Sequence, residues 1–160
     1  MPIPRATFVI EKYGLHQHVI HGLVEGITHE ESILQLPFDS NCMNWVLGHI
    51  AANRSHVLEV IGILHGWQEE IRNLYNTDSA PVKPGSICLP IERLMGCIDE
   101  SMGLLTNELG SVSEAWLEER FTNYRGEKTR EGHLLGFHWH ETYHVGQLEI
   151  FKDFAMSKRK

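Results

Sequence analysis

The stretch from His133 to Phe154, HLLGFHWHETYHVGQLEIFKDF, is apolar at helical intervals and carries His140 and His144 four residues apart. On an α-helix that spacing puts both rings on one face, about 5–6 Å apart at Cβ. Both imidazoles can then reach one divalent cation, at roughly 2.0–2.1 Å from each nitrogen. Two ligands do not hold an ion tightly. The remainder of the chain must supply a third, and the best placed is His49.

A length of 160 residues suits one domain, residues 1–160, with enough chain to bury a core. The net charge of −7 argues against nucleic acid, which demands clustered Lys and Arg. The one basic cluster, Lys158-Arg159-Lys160, reads as a solvated tail. No apolar leader opens the chain and no run of about 18 apolar residues interrupts it, so neither secretion nor membrane spanning is expected. Cys42, Cys88 and Cys97 are odd in number and lack CxxC spacing. They read as small buried side chains in a reducing, cytoplasmic compartment rather than as a disulfide frame. Histidine is the unusual item, eleven residues of the 160, which makes a shared metal worth testing.

Outward from the terminal stretch, apolar spacing predicts three further long helices. The first covers 6–27, with Val9, Tyr13, Ile20, Leu23, Val24 and Ile27 inward and His16 on the same stripe as a core histidine; His18 and His21 point to solvent. The second covers 42–64, after Ser40 and Asn41 as N-cap candidates. Its inward face runs Cys42, Val46, His49, Asn53, His56 or Val57, Val60, Leu64, an apolar stripe broken by polar groups. His56 lies seven residues past His49, about 10.5 Å along the axis, too far to share its metal. The third helix covers 90–109 and carries no ligand. Residues 66–89 read as a turn-rich loop pinned by Trp67 and Tyr75, which could wall a pocket. A short helix at 113–120 and an extended strap at 121–130 lead into the terminal helix, which starts near Thr129 or Glu131. Four amphipathic helices with two long connections predict an all-α four-helix bundle.

His49 from one helix with His140 and His144 from another would make a facial three-histidine set. Three protein ligands leave a coordination position free, the catalytic pattern, and a Lewis-acidic ion there can activate a thiol or water. Gln147 and Asn53 are candidates to orient the rings or hold a bound water. Spacing alone equally admits a hydrogen-bonded polar core. The same segment spells His140-Glu141-Thr142-Tyr143-His144, the HExxH of zinc peptidases, in which the Glu is the general base. Against a peptidase, Gly146 and Gln147 break the longer motif, sixteen residues follow His144, and no sheet precedes the helix. Glu141 stays open as a base in another reaction or as a solvated carboxylate.

Trp45-Val46-Leu47-Gly48-His49-Ile50 together with His140-Glu141-Thr142-Tyr143-His144-Val145-Gly146-Gln147-Leu148 resembles the DinB/YfiT-like superfamily of metalloenzymes. The likeness extends through Pro81–Leu94 and Asn123-Tyr124-Arg125-Gly126-Glu127. The resemblance implies an up-down-down-up bundle, commonly a homodimer, that binds zinc, nickel or another divalent ion through three histidines. Those positions fall here on His49, His140 and His144. It also implies a thiol-dependent S-transferase using a low-molecular-weight thiol, or a thiol-dependent isomerase. Joined to the metal chemistry above, the expectation is a metal-dependent S-transferase or hydrolase acting on a small electrophilic molecule. The alternative is a non-enzymatic protein whose metal stabilises a small-ligand-binding or dimeric bundle.

Overall fold

The computed structural model describes residues 2–159. Its elements in chain order are α1 (Pro4–Val24), α2 (His29–Ser32), α3 (Met43–Val60), α4 (Gln68–Tyr75), α5 (Ile91–Leu109), α6 (Glu114–Glu118), β1 (Arg120–Asn123), β2 (Gly126–Thr129) and α7 (Arg130–Lys158). The long helices α1, α3, α5 and α7 form the bundle. α1 and α7 run in the same direction, since Arg5 pairs with Glu131 at one end and Lys152 reaches the Gly22 carbonyl at the other. α3 opposes α7: His49 lies beside His144, Asn53 bonds the Phe137 carbonyl and Arg130 bonds that of Val60. α5 opposes α1, with Met102 against Gly14 and Asp99 bonded to His21. The connectivity is therefore up-down-down-up.

α3 is the central rod. Every residue from Met43 to Val60 is buried except His56 and Glu59, which are half-buried. A helix surrounded by neighbours positions any side chain it carries firmly, since each rotamer is enclosed by packed atoms. Its start differs from the sequence reading. Cys42, not Ser40 or Asn41, is the N-cap residue, and no side chain caps the helix. Its end falls at Val60 rather than 64 because Gly62 adopts φ 80°, a left-handed conformation that stops the helix.

Three other boundaries move. The first helix ends at Val24, and Thr28 opens the separate turn of α2 with a capping box to Glu31. The loop expected over 66–89 contains the two-turn helix α4, whose buried Ile71 and Tyr75 dock on α3. The expected strap over 121–130 is a two-residue hairpin, Asn123 paired with Gly126. Tyr124 and Arg125 make the turn at negative φ, and Gly126 follows at φ 86°, the left-handed residue that closes a type I turn with a G1 bulge. Thr129 then caps α7 by accepting from the Gly132 N–H at 3.0 Å. The C-terminal tail is not wholly solvated, for Arg159 bonds Glu31 at 2.5 and 2.6 Å, while Lys160 lies outside the described residues. All three cysteines are free, Cys42 and Cys97 buried and Cys88 half-buried. No helix among the described residues is long and apolar enough to cross a membrane.

Candidate metal centre

α3 and α7 face each other across a seam in which His49, His140 and His144 converge. The His49 ring centroid lies 5.2 Å from that of His140 and 4.6 Å from that of His144. One ligand nitrogen from each ring lies within 4.8 Å of the other two. Among the described residues this is the one group of three His, Cys, Asp or Glu side chains so placed. The Nε2 atoms of His140 and His144 are 3.2 Å apart, and two nitrogens bound tetrahedrally to one zinc-sized ion would be roughly 3.3 Å apart.

The tautomers of two rings are set by their other nitrogens. His49 Nδ1–H donates to the Tyr75 carbonyl at 2.8 Å, an acceptor that cannot donate in return. His144 Nδ1–H donates to Gln147 Oε1 at 2.8 Å. Both Nε2 atoms are thereby left as lone-pair donors turned toward the seam, the state a metal ligand requires. Burial is the main reason that all three imidazoles titrate below the usual histidine range. His140, which also feels His144, Arg125 and His49, is lowered to about 4. Neutral rings at physiological pH, with converging lone pairs, are a donor set suited to a divalent cation. A cleft of about 570 Å³ opens over them, lined by Trp45, Val46, Trp139, Tyr143 and Phe151 and by the polar Ser40, Asn41, Thr77, Asp78 and Gln147.

The family model of the DinB superfamily matches residues 13–148, which include all three histidines. The chain belongs to the DinB superfamily. Among solved structures it is similar to a conserved protein from Enterococcus faecalis, at 14% identity and a TM-score of 0.73, over 98% of this chain and 99% of that one. At that identity the likeness concerns the fold alone. No curated protein matches the chain.

The HExxH reading fails on geometry in this DinB chain. The 100° step from His140 to Glu141 leaves the α3–α7 seam and enters the bundle centre. There Glu141 is fully buried and accepts from Arg54 Nε and Nη2 at 2.6 and 2.7 Å and from His16 Nδ1 at 3.1 Å. Burial alone would raise its carboxyl, but the Arg54 charge and these bonds outweigh that and hold it at about 2. It is neither a solvated carboxylate nor a general base facing the cleft, and so acidic a group would take up a proton poorly in any case. Asn53 does not orient a ligand ring, because its amide donates to the Phe137 carbonyl at 3.2 Å and ties α3 to α7. Gln147 stands against His144. His56 turns away from the cluster, its Nδ1 3.1 Å from Glu59 and its ring between Tyr124 and Phe137. His16 is a core histidine, stacked on His138 at 4.1 Å.

Four contributors to the site were given no part in it from the sequence, although Trp45 and Tyr143 stand inside the stretches that carry the resemblance. The Tyr75 carbonyl is a backbone group that any residue type could present. Trp45, stacked on His49 at 4.8 Å, could have been found from its position four residues before His49 on one helix face. Trp139 and Tyr143 flank the two α7 histidines in sequence and line the cleft while remaining largely exposed.

Proposed function

We propose that the chain is a metal-dependent enzyme in which His49, His140 and His144 hold one divalent ion, zinc or nickel. In this reading it transfers a low-molecular-weight thiol, or water, to a small electrophilic molecule bound in the cleft. The carrying observation is the fixed tautomer of two rings, which turns the Nε2 lone pairs of His49 and His144 into the seam, where the one nitrogen at hydrogen-bond distance is Nε2 of the third candidate ligand, His140. When bound, the ion would supply Lewis acidity toward a thiol or water. The chain's own part is orientation. The Tyr75 carbonyl and Gln147 hold two rings, Trp45 keeps water from the back of His49, and the aromatic walls take up the organic body of the substrate. In S-transfer the sulfur bonds the electrophilic carbon, the leaving group departs with its electron pair, and the thiol proton passes to solvent. Three protein ligands on two helices would leave an ion there short of a full set, which favours an enzyme over a purely structural site. A cytoplasmic setting and a homodimer are part of the same proposal, the exposed Phe8, Leu15 and Val19 of α1 offering an apolar face.

Metal analysis of protein purified without chelators tests the ligand set. About one divalent ion per chain is expected, with His49→Ala and His140→Ala losing it; full metal content in His140→Ala would defeat the assignment. Turnover is tested by supplying a chromogenic aryl halide with a panel of small thiols and following halide release. A metal-loaded protein inert toward every thiol and toward hydrolysis would leave the second reading, in which the ion only staples α3 to α7.

A further inference from the structure

The cleft over the three histidines has a charge asymmetry that the ligand set does not account for. Among the described residues that line it, Asp78 alone is a carboxylate or a permanent cation; the rest are aromatic, aliphatic, neutral polar or the neutral imidazoles themselves. Asp78 lies on the loop after α4, next to Thr77, which also lines the cleft. The loop is fixed to the site: Ser79 N–H donates to the Asn76 carbonyl at 3.0 Å, and Ser79 Oγ accepts from Trp45 Nε1 at 3.0 Å. Trp45 is the ring stacked on His49. The carboxylate is thus one residue from an anchor that rests on a candidate ligand.

The aromatic walls point to the same ligand charge. Trp139 and Tyr143 keep 74% and 63% of their surface exposed, so their ring faces are free to be covered. An indole or phenol face attracts a cation, most strongly where water is displaced. A carboxylate in the same cleft adds to that attraction and repels anions. A divalent ion on the floor would repel a cation, so the cationic group belongs at the Asp78 rim and an electron-pair donor at the floor.

We infer that the cleft selects small organic cations, molecules carrying an ammonium-type group held by Asp78, Trp139 and Tyr143, with a donor group at the other end directed at His49, His140 and His144. The donor end rests on the metal reading above; the cationic end stands without it.

The test uses protein incubated with zinc, its bound metal measured, and calorimetric titration with benzyltrimethylammonium, which cannot coordinate a metal, and with benzyl alcohol as its uncharged counterpart. The cation should bind about tenfold more tightly, the size of one modest charged contact. Asp78→Asn should remove the preference while keeping the fold, because Asn tolerates the left-handed φ of 68° found at this position. Trp139→Ala should weaken the cation more than the alcohol. Glu92→Gln, an equal change of net charge at an exposed site on α5, should leave the preference in place. Equal binding of the two probes, or a preference that survives Asp78→Asn, overturns the inference and leaves the metal proposal standing. A preference that Asp78→Asn abolishes, in protein that binds no metal, supports the cation site and removes the metal proposal instead.

Discussion

At the scale of single residues, the three imidazoles are not held alike. His49 and His144 each have an acceptor for Nδ1–H, whereas His140 Nδ1 is buried with no hydrogen-bond partner among the described residues. Removing an oriented ligand's support typically costs 10–100-fold in metal affinity. Gln147→Ala should therefore weaken binding by about that factor in a chelator competition, and Gln147→Glu should restore most of it. Acid should act on the metal-free protein through the same rings. Their pKa values are lowered on folding, so between about 6.5 and 4 the unfolded chain binds more protons than the folded one. The metal-free protein should then lose stability as pH falls through that window and hold it above, as urea midpoints across a pH series would show. The i, i+4 histidines and His49 were legible because helical periodicity is written in side-chain identity. The Tyr75 carbonyl and Arg54 were not: one is backbone, and the other is an arginine on a stripe where charge is expected to face water.

At the scale of elements, the approach of α4 to α3 is what brings the Tyr75 carbonyl to His49, and it depends on one glycine. A Cβ on Gly48 would stand 2.2 Å from the Tyr75 ring, which is itself fixed by bonds from its hydroxyl to Asn44 and from Leu89 N–H. The ring cannot yield without breaking those bonds. Gly48→Ala should cost about 1–3 kcal/mol in chemical denaturation, the usual range for an overpacked core. It should also reduce metal affinity, since it displaces the neighbour of a candidate ligand. The long helices were readable from apolar spacing, but α4 was hidden. Its sequence QEEIRNLY forms helix readily, yet Asn76, Pro81, Pro84 and Gly85 just beyond it made the whole of 66–89 look like loop. The hairpin was equally obscured, since four-residue strands rich in charge carry no alternating apolar pattern.

At the scale of the whole molecule, an ion held by His49, His140 and His144 would join the central helix to the longest one. At a free metal concentration a hundredfold above Kd, binding to the folded state alone contributes about 2.7 kcal/mol. For a domain of this size that corresponds to a rise in Tm of roughly 5–10 °C, which should vanish on chelation and be absent in His144→Ala. The bundle centre is sensitive in another way, because Arg54 is 1% exposed and its partner Glu141 fully buried. Arg54→Leu should cost about 3–5 kcal/mol by stranding the carboxylate, while Arg54→Leu with Glu141→Leu should recover most of it in the same melt. Two opposite charges that can be neutralised in only one alignment also act on assembly itself. A collapsed chain with its last helix slid by a turn would bury both without partners, so mispacked bundles are driven up in energy and the descent to the native one is steepened.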